Sequence, residues 1–195
     1  MGDHDLNVDP RFSDVVFILR ITIMTDIRTR DTQLECDKKF MQIAIDESRK
    51  GVYPYGAILV KDNVVEFMAH NSASSDPTAH AEVEVIRIAT QALKKSSLAG
   101  YTLYTSSESC PMCAAAEVWA KVDRVVFGAS IQQLVQRAGQ EQIELPSHIV
   151  NSLWNGSKVK DGNTYGAFKL TGEVLVEESL QVFEEWKKKK QNEKT

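Results

Sequence analysis

Apolar positions along the chain fall into short runs whose spacing changes from helical to extended and back. Phe40, Met41, Ile43, Ala44 and Ile45 carry a helical pattern, with Thr32 and Glu35 placed as a T-x-x-E capping box and Gly51 as a left-handed cap, so a helix is predicted over 32–50. Ala57–Val60 and Val64–Phe67 flank the polar Lys61, Asp62 and Asn63, the pattern of a strand hairpin. After the polar loop Asn71–Pro77, a second helix is expected over 79–95, with Val83, Ile86 and Ala89 or Thr90 on one face. Tyr101–Thr105 alternates like a strand, Cys110–Ala120 is Ala-rich and helical, and Val122–Gly128 is a strand whose unbroken Val125, Val126, Phe127 run implies burial.

Further elements are predicted as short helices over 131–138 and 146–154, a strand region over 165–175, and a last helix from Val176, Leu180 and Phe183 to Trp186. Lys187–Lys190 in its final turn read as a solvated end favoured by the helix dipole. One helix, two strands, then helix and strand alternating twice predict an α/β layered domain whose later strands are parallel. The acidic, then briefly apolar residues 1–31 read as an N-terminal extension to a domain over 32–195.

Composition narrows the class. Of 195 residues 43% are apolar and 26% charged, with 10 Gly and 5 Pro, which excludes collagen-like, disordered and disulfide-scaffold chains. The formal charge of −4 gives no general affinity for nucleic acid. The apolar run from Val15 is broken by Arg20, and the leader carries Asp3, Asp5, Asp9 and Asp14, which suits neither a signal peptide nor a membrane span. Three cysteines, an odd number, fit a reducing compartment, so a soluble cytoplasmic protein is expected.

Cys110-Pro111-Met112-Cys113 taken alone is equally half a zinc site, a redox pair or two core cysteines. His80-Ala81-Glu82 alone is most often helical surface. Together they say more, because each opens a predicted helix and the stretch between them accommodates one helix and a returning strand. Two helix N-termini can then converge. His80, Cys110 and Cys113 supply one nitrogen and two sulfurs, the three protein ligands of a catalytic zinc site with water in the fourth position. Helix N-termini favour the thiolates. Glu82 is too near His80 to share the ion comfortably, yet is placed to reach the water as general acid and base.

The pair of motifs follows the H-x-E and P-C-x-x-C signature of zinc deaminases. From Cys36 to about Ser130 the chain resembles the cytidine and deoxycytidylate deaminase superfamily, within it the guanine deaminase and tRNA adenosine deaminase branch. The resemblance implies a three-layer αβα cytidine deaminase-like fold with a mixed five-stranded sheet, a Zn2+ cofactor and hydrolytic deamination, Glu82 passing a proton from the zinc-held water to a ring nitrogen. It further implies that Asn71 and the main chain at Ala81 contact the base, with Tyr55 beside it, and that the protein is a homodimer.

Two departures and one likeness bear on the substrate. Ser109 stands where the family usually has Pro, which would alter the pocket floor, and Trp119 resembles the tryptophan that borders the substrate in guanine deaminases. The Phe-Asp-Asp segment of guanine deaminases is absent after Ile131. The expectation is a small nucleobase or nucleoside, guanine foremost, and no membrane. tRNA is disfavoured because no basic stripe runs along the chain. The remaining alternative is a catalytically silent deaminase-like subunit. His4, His70, His148 and Cys36 are read as structural or solvated.

Overall fold

The computed structural model describes residues 31–155 and 168–193. The chain divides into two units, Met1–Cys36 and Asp37–Thr195, and apart from the start of the first helix everything below concerns the second. The proposed extension, His4 and the start of the 165–175 strand region lie outside the described residues.

Helix α1 covers residues 31–48, β1 Gly56–Lys61, β2 Val64–His70 and α2 Ala81–Leu93. These are followed by β3 Thr102–Ser107, α3 Pro111–Ala120, β4 Arg124–Ala129, α4 Ile131–Gln136, α5 Ser147–Asn155, β5 Lys169–Thr171 and α6 Val176–Asn192. The five strands form one sheet in the order β2-β1-β3-β4-β5. β1 is antiparallel to both β2 and β3, whereas β3–β4 and β4–β5 are parallel, so the sheet is mixed.

Local chemistry explains the hairpin. Asp62 and Asn63 both take positive φ, 48° and 60°, so the link between β1 and β2 is a two-residue turn of the primed type whose twist matches the strands. Lys61 therefore belongs to β1. With neighbours on both sides, β1 is buried nearly throughout, while edge strand β2 alternates exposed and partly buried positions. Ala57 and Leu59 point to the core shared with Ala81, Val85 and Ala89 of α2 and Val118 of α3. On the opposite face, Phe40 of α1 stacks against Tyr104 at 5.4 Å. Gly56 lets α1 approach, since a Cβ there would lie 2.3 Å from the Ala44 carbonyl oxygen. Helices thus cover both faces of the sheet.

Three sequence expectations need correction. Thr32 is itself helical, so it is not the N-cap of α1. Gly51 does not take a left-handed conformation; it serves close approach, because a Cβ would meet the Tyr53 carbonyl oxygen at 2.4 Å. The buried stripe of α2 is Ala81, Val85 and Ala89, spaced four apart on one face; Ile86 packs only partly buried against the same core and Val83 is half-buried.

Candidate active site

The loop into α2 is fixed by its own short polar side chains. Asp76 Oδ1 accepts from the Thr78 N–H at 2.8 Å and from Thr78 Oγ1 at 2.6 Å, and Arg87 donates to Thr78 Oγ1 at 3.0 Å. This delivers His80 as N-cap of α2 in an extended conformation, φ −75° and ψ 152°, with no capping bond from its ring. Cys110 is likewise the N-cap of α3, φ −64° and ψ 166°, with Pro111 suited to the first helical position. Cys113 follows in the first turn.

The ring and the two thiols meet. His80 Nδ1 lies 3.6 Å from both sulfurs, which are 3.5 Å apart. All three donor atoms lie within 4.8 Å of one another. Bonds of about 2.3 Å to sulfur and 2.0 Å to nitrogen in a tetrahedron would set neighbouring donors roughly 3.6–3.8 Å apart. The donors therefore fit zinc. A disulfide would need the sulfurs near 2.05 Å, so the geometry is not that of an oxidised pair.

The protons report the same convergence. A hydrogen bond from Cys113 lowers the Cys110 thiol to about 4, against burial and with further help from His80. Cys113 is held high by that same bond and by its burial. The hydrogen bond to Cys110 raises His80 despite burial. Glu82 is 4% exposed, and burial first, then the Cys110 thiolate, pushes its carboxyl up. Thr105 Oγ1 donates to Glu82 Oε1 at 3.3 Å.

A cavity of about 760 Å³ opens over these groups and is lined also by Tyr55, Asn71 and Glu108. Asn71 is buried, and its Oδ1 accepts from the Ala73 N–H at 3.0 Å, so its amide NH2 remains the donor side. Tyr55 packs edge-on against Phe183 at 5.1 Å and accepts from Gln142 Nε2 at 2.7 Å through its hydroxyl. The aromatic is thus both core and wall. Ala81 is fully buried at the first position of α2. A smaller cavity of about 410 Å³, between the end of α1 and α6, contains none of the three donors.

Two anticipated site residues lie elsewhere. Trp119 is 65% exposed and lines a shallow groove between α2 and α3, because it faces away from the buried stripe of α3. Ser109 is buried and donates to Glu117 Oε1 at 2.6 Å rather than lining the cavity. Glu117 is completely buried, its Oε2 has no partner, and burial holds its carboxyl well above the usual range.

Other contributors carried no signal in periodicity. Glu108 accepts from the Ile131 N–H at 3.0 Å, the Ser147 N–H at 2.8 Å and Ser147 Oγ at 2.9 Å, anchoring the starts of α4 and α5. The loop between those helices brings Gly139–Ile143 to the cavity wall. Its position beside Ser109 and Cys110 was the available clue to Glu108. His70 binds Glu47 at 2.8 Å outside the donor cluster, and His148 is exposed.

Residues 34–129 match the cytidine and deoxycytidylate deaminase zinc-binding region. A probable cytosine deaminase of Schizosaccharomyces pombe is 33% identical over 124 residues, 60% of this chain and 75% of that protein. The X-ray structure of guanine deaminase from Bacillus subtilis is 30% identical, with a TM-score of 0.51 over 77% of this chain and 92% of the other. The chain belongs to the cytidine and deoxycytidylate deaminase family. A tRNA-specific adenosine deaminase of Bacillus subtilis is 43% identical over 99 residues, 48% of this chain and 62% of the relative. The chain spans about three fifths of the tRNA-specific relatives it matches. Within the family, the zinc-binding region coincides with the segment that carries His80, Cys110 and Cys113. Among the described residues no helix is long and apolar enough to cross a membrane.

Proposed function

We propose that the protein is a zinc-dependent aminohydrolase of purines that exchanges an exocyclic amine for a carbonyl, with guanine ahead of adenine. The observation that carries this is the His80, Cys110, Cys113 triangle with the buried Glu82 carboxyl on the same cavity. A structural zinc site has no use for such a carboxyl. His80, Cys110 and Cys113 would hold the ion, which supplies Lewis acidity that makes water nucleophilic near neutral pH.

The chain's own groups do the rest. Glu82 as the carboxylate takes a proton from the incoming water; its burial, which favours the protonated form, holds that proton until it passes to a ring nitrogen, and the same group then serves the departing ammonia. Thr105 Oγ1, which shares its proton between the Ser107 carbonyl at 3.0 Å and Oε1 at 3.3 Å, lies beside the carboxyl. The Asn71 amide donates to an acceptor on the ring, and Tyr55, fixed by Gln142, closes one side. The net change adds water across the C–N bond and releases NH3, so no redox partner is required. Likeness to guanine deaminase over 92% of that chain supports guanine. The 43% identity with a tRNA-specific adenosine deaminase supports a second reading, adenosine within tRNA.

Ammonia release from guanine, adenine, guanosine and adenosine tests the first reading, with Glu82→Ala as control. The variant should keep stoichiometric zinc and lose about 10²–10⁴-fold in turnover. Normal turnover by the variant would falsify the role given to Glu82. Silence toward all four, with salt-sensitive tRNA binding, would favour the second reading.

A further inference from the structure

Lys187–Lys190 read as a solvated helix end, and Lys188, Lys189 and Lys190 are indeed exposed. Lys187 differs. It is partly buried and lines the cavity that holds His80, Glu82 and Cys110. Its Nζ lies 3.4 Å from the point where a side chain on Gly139 would begin, so glycine there leaves the ammonium its place at the cavity wall.

Three other cations, two just after α1 and one on α6, are already engaged. Arg49 pairs with Asp46 at 2.8 Å and Glu185 at 3.1 Å, Lys50 with Glu47 at 2.6 Å, and Lys190 with Glu193 at 3.0 Å. Among the described residues, no carboxylate oxygen lies within 4.0 Å of Lys187 Nζ. A lysine ammonium at a cavity wall without a counter-ion is stabilised by an anionic ligand. Beside it, Trp186 and Tyr53 pair at 5.7 Å and give the same cavity an aromatic wall. At about 760 Å³ the cavity suits a ligand well above the size of a bare base.

We propose that Lys187 forms an anion subsite at this cavity, and that the purine to be deaminated arrives as a nucleoside 5′-monophosphate. The inference rests on the aminohydrolase reading for the reaction but not for the binding. Among the described residues, Lys187 is the one Lys or Arg lining this cavity, which suits one phosphate, whereas a polyanion needs several cations along its backbone.

The test uses the zinc-loaded full chain. Turnover of GMP against guanosine and of AMP against adenosine is measured, and GMP and IMP binding is followed by calorimetry. The monophosphates should be preferred. Lys187→Gln should lower the monophosphate-to-nucleoside ratio of kcat/KM, and the affinity for GMP or IMP, about tenfold or more. Lys187→Arg should restore most of both, and Lys188→Gln, which removes the same charge from an exposed position, should change neither.

Equal losses in Lys187→Gln and Lys188→Gln, no preference for the phosphate, no monophosphate binding, or tighter binding of an oligonucleotide would each overturn the subsite. Lys187-dependent binding without any deamination would retain the subsite and remove the aminohydrolase reading. Deamination indifferent to Lys187 would do the reverse.

Discussion

Glu108 offers the sharpest quantitative test of how the cavity wall is held. Its carboxylate, 8% exposed, accepts from two buried backbone N–H groups and one hydroxyl. Glu108→Ala leaves the Ile131 and Ser147 N–H groups without an acceptor, at about 1–3 kcal/mol each, so a loss of about 2–6 kcal/mol is expected. Glu108→Gln keeps one oxygen for Ser147 but turns an NH2 toward the Ile131 N–H, which predicts about 1–3 kcal/mol. Urea unfolding of the zinc-loaded protein measures both. Because the two anchored helices flank the loop that carries Gly139–Ile143, KM should rise by a larger factor than kcat falls. A Glu108→Gln protein within 0.5 kcal/mol of wild type by this measurement, or an Ala variant no weaker than Gln, would refute the anchoring argument.

Three further outcomes are expected. Asp37 is 2% exposed and takes both guanidinium nitrogens of Arg124 at 2.7 Å and the Tyr104 hydroxyl at 2.8 Å, so Asp37→Ala should cost about 3–5 kcal/mol in urea unfolding, whereas Asp37→Leu with Arg124→Met should recover most of it. Ser109→Ala should cost about 1–3 kcal/mol by depriving Glu117 of its partner, and adding Glu117→Leu should return the protein close to wild type; additive losses in that cycle would disprove the coupling. Burial pushes the Glu47 carboxyl up, but His70 and Lys50 outweigh it and the net shift is downward. Its stabilising effect is therefore present above the ordinary value of 4.5 and lost as pH falls through the lower folded value, so Glu47→Gln should flatten the acid limb of a stability-against-pH curve, and an unchanged limb would count against the pairing.

The sheet and the convergence of His80, Cys110 and Cys113 were legible because each was written in local chemistry. Asp62-Asn63 announced the hairpin, and the loops before His80 and Cys110 marked two helix starts that the fold brings together. The α3 helix shows why the rest was not. Its Ala-rich sequence has little periodicity, so a tryptophan there reads as core or site and a glutamate as surface. The fold inverts this: Glu117 sits four residues beyond Cys113 and shares its buried face, while Trp119 turns outward. Lys187 was hidden in a run of four identical residues, distinguished only by which way the helix faces. Gln142 lies on a loop whose path depends on Glu108 rather than on any repeat.

The Ser109–Glu117 contact bears on how such a chain can diverge. A buried acid at 117 is tolerable only with a hydroxyl at 109 to meet it, and a serine at 109 is satisfied only while that acid remains. Neither substitution is easily inherited alone. Lineages with proline before the first cysteine should therefore carry an apolar residue eight positions on, and the order in which the two changes were acquired is constrained by the cost of the single intermediates.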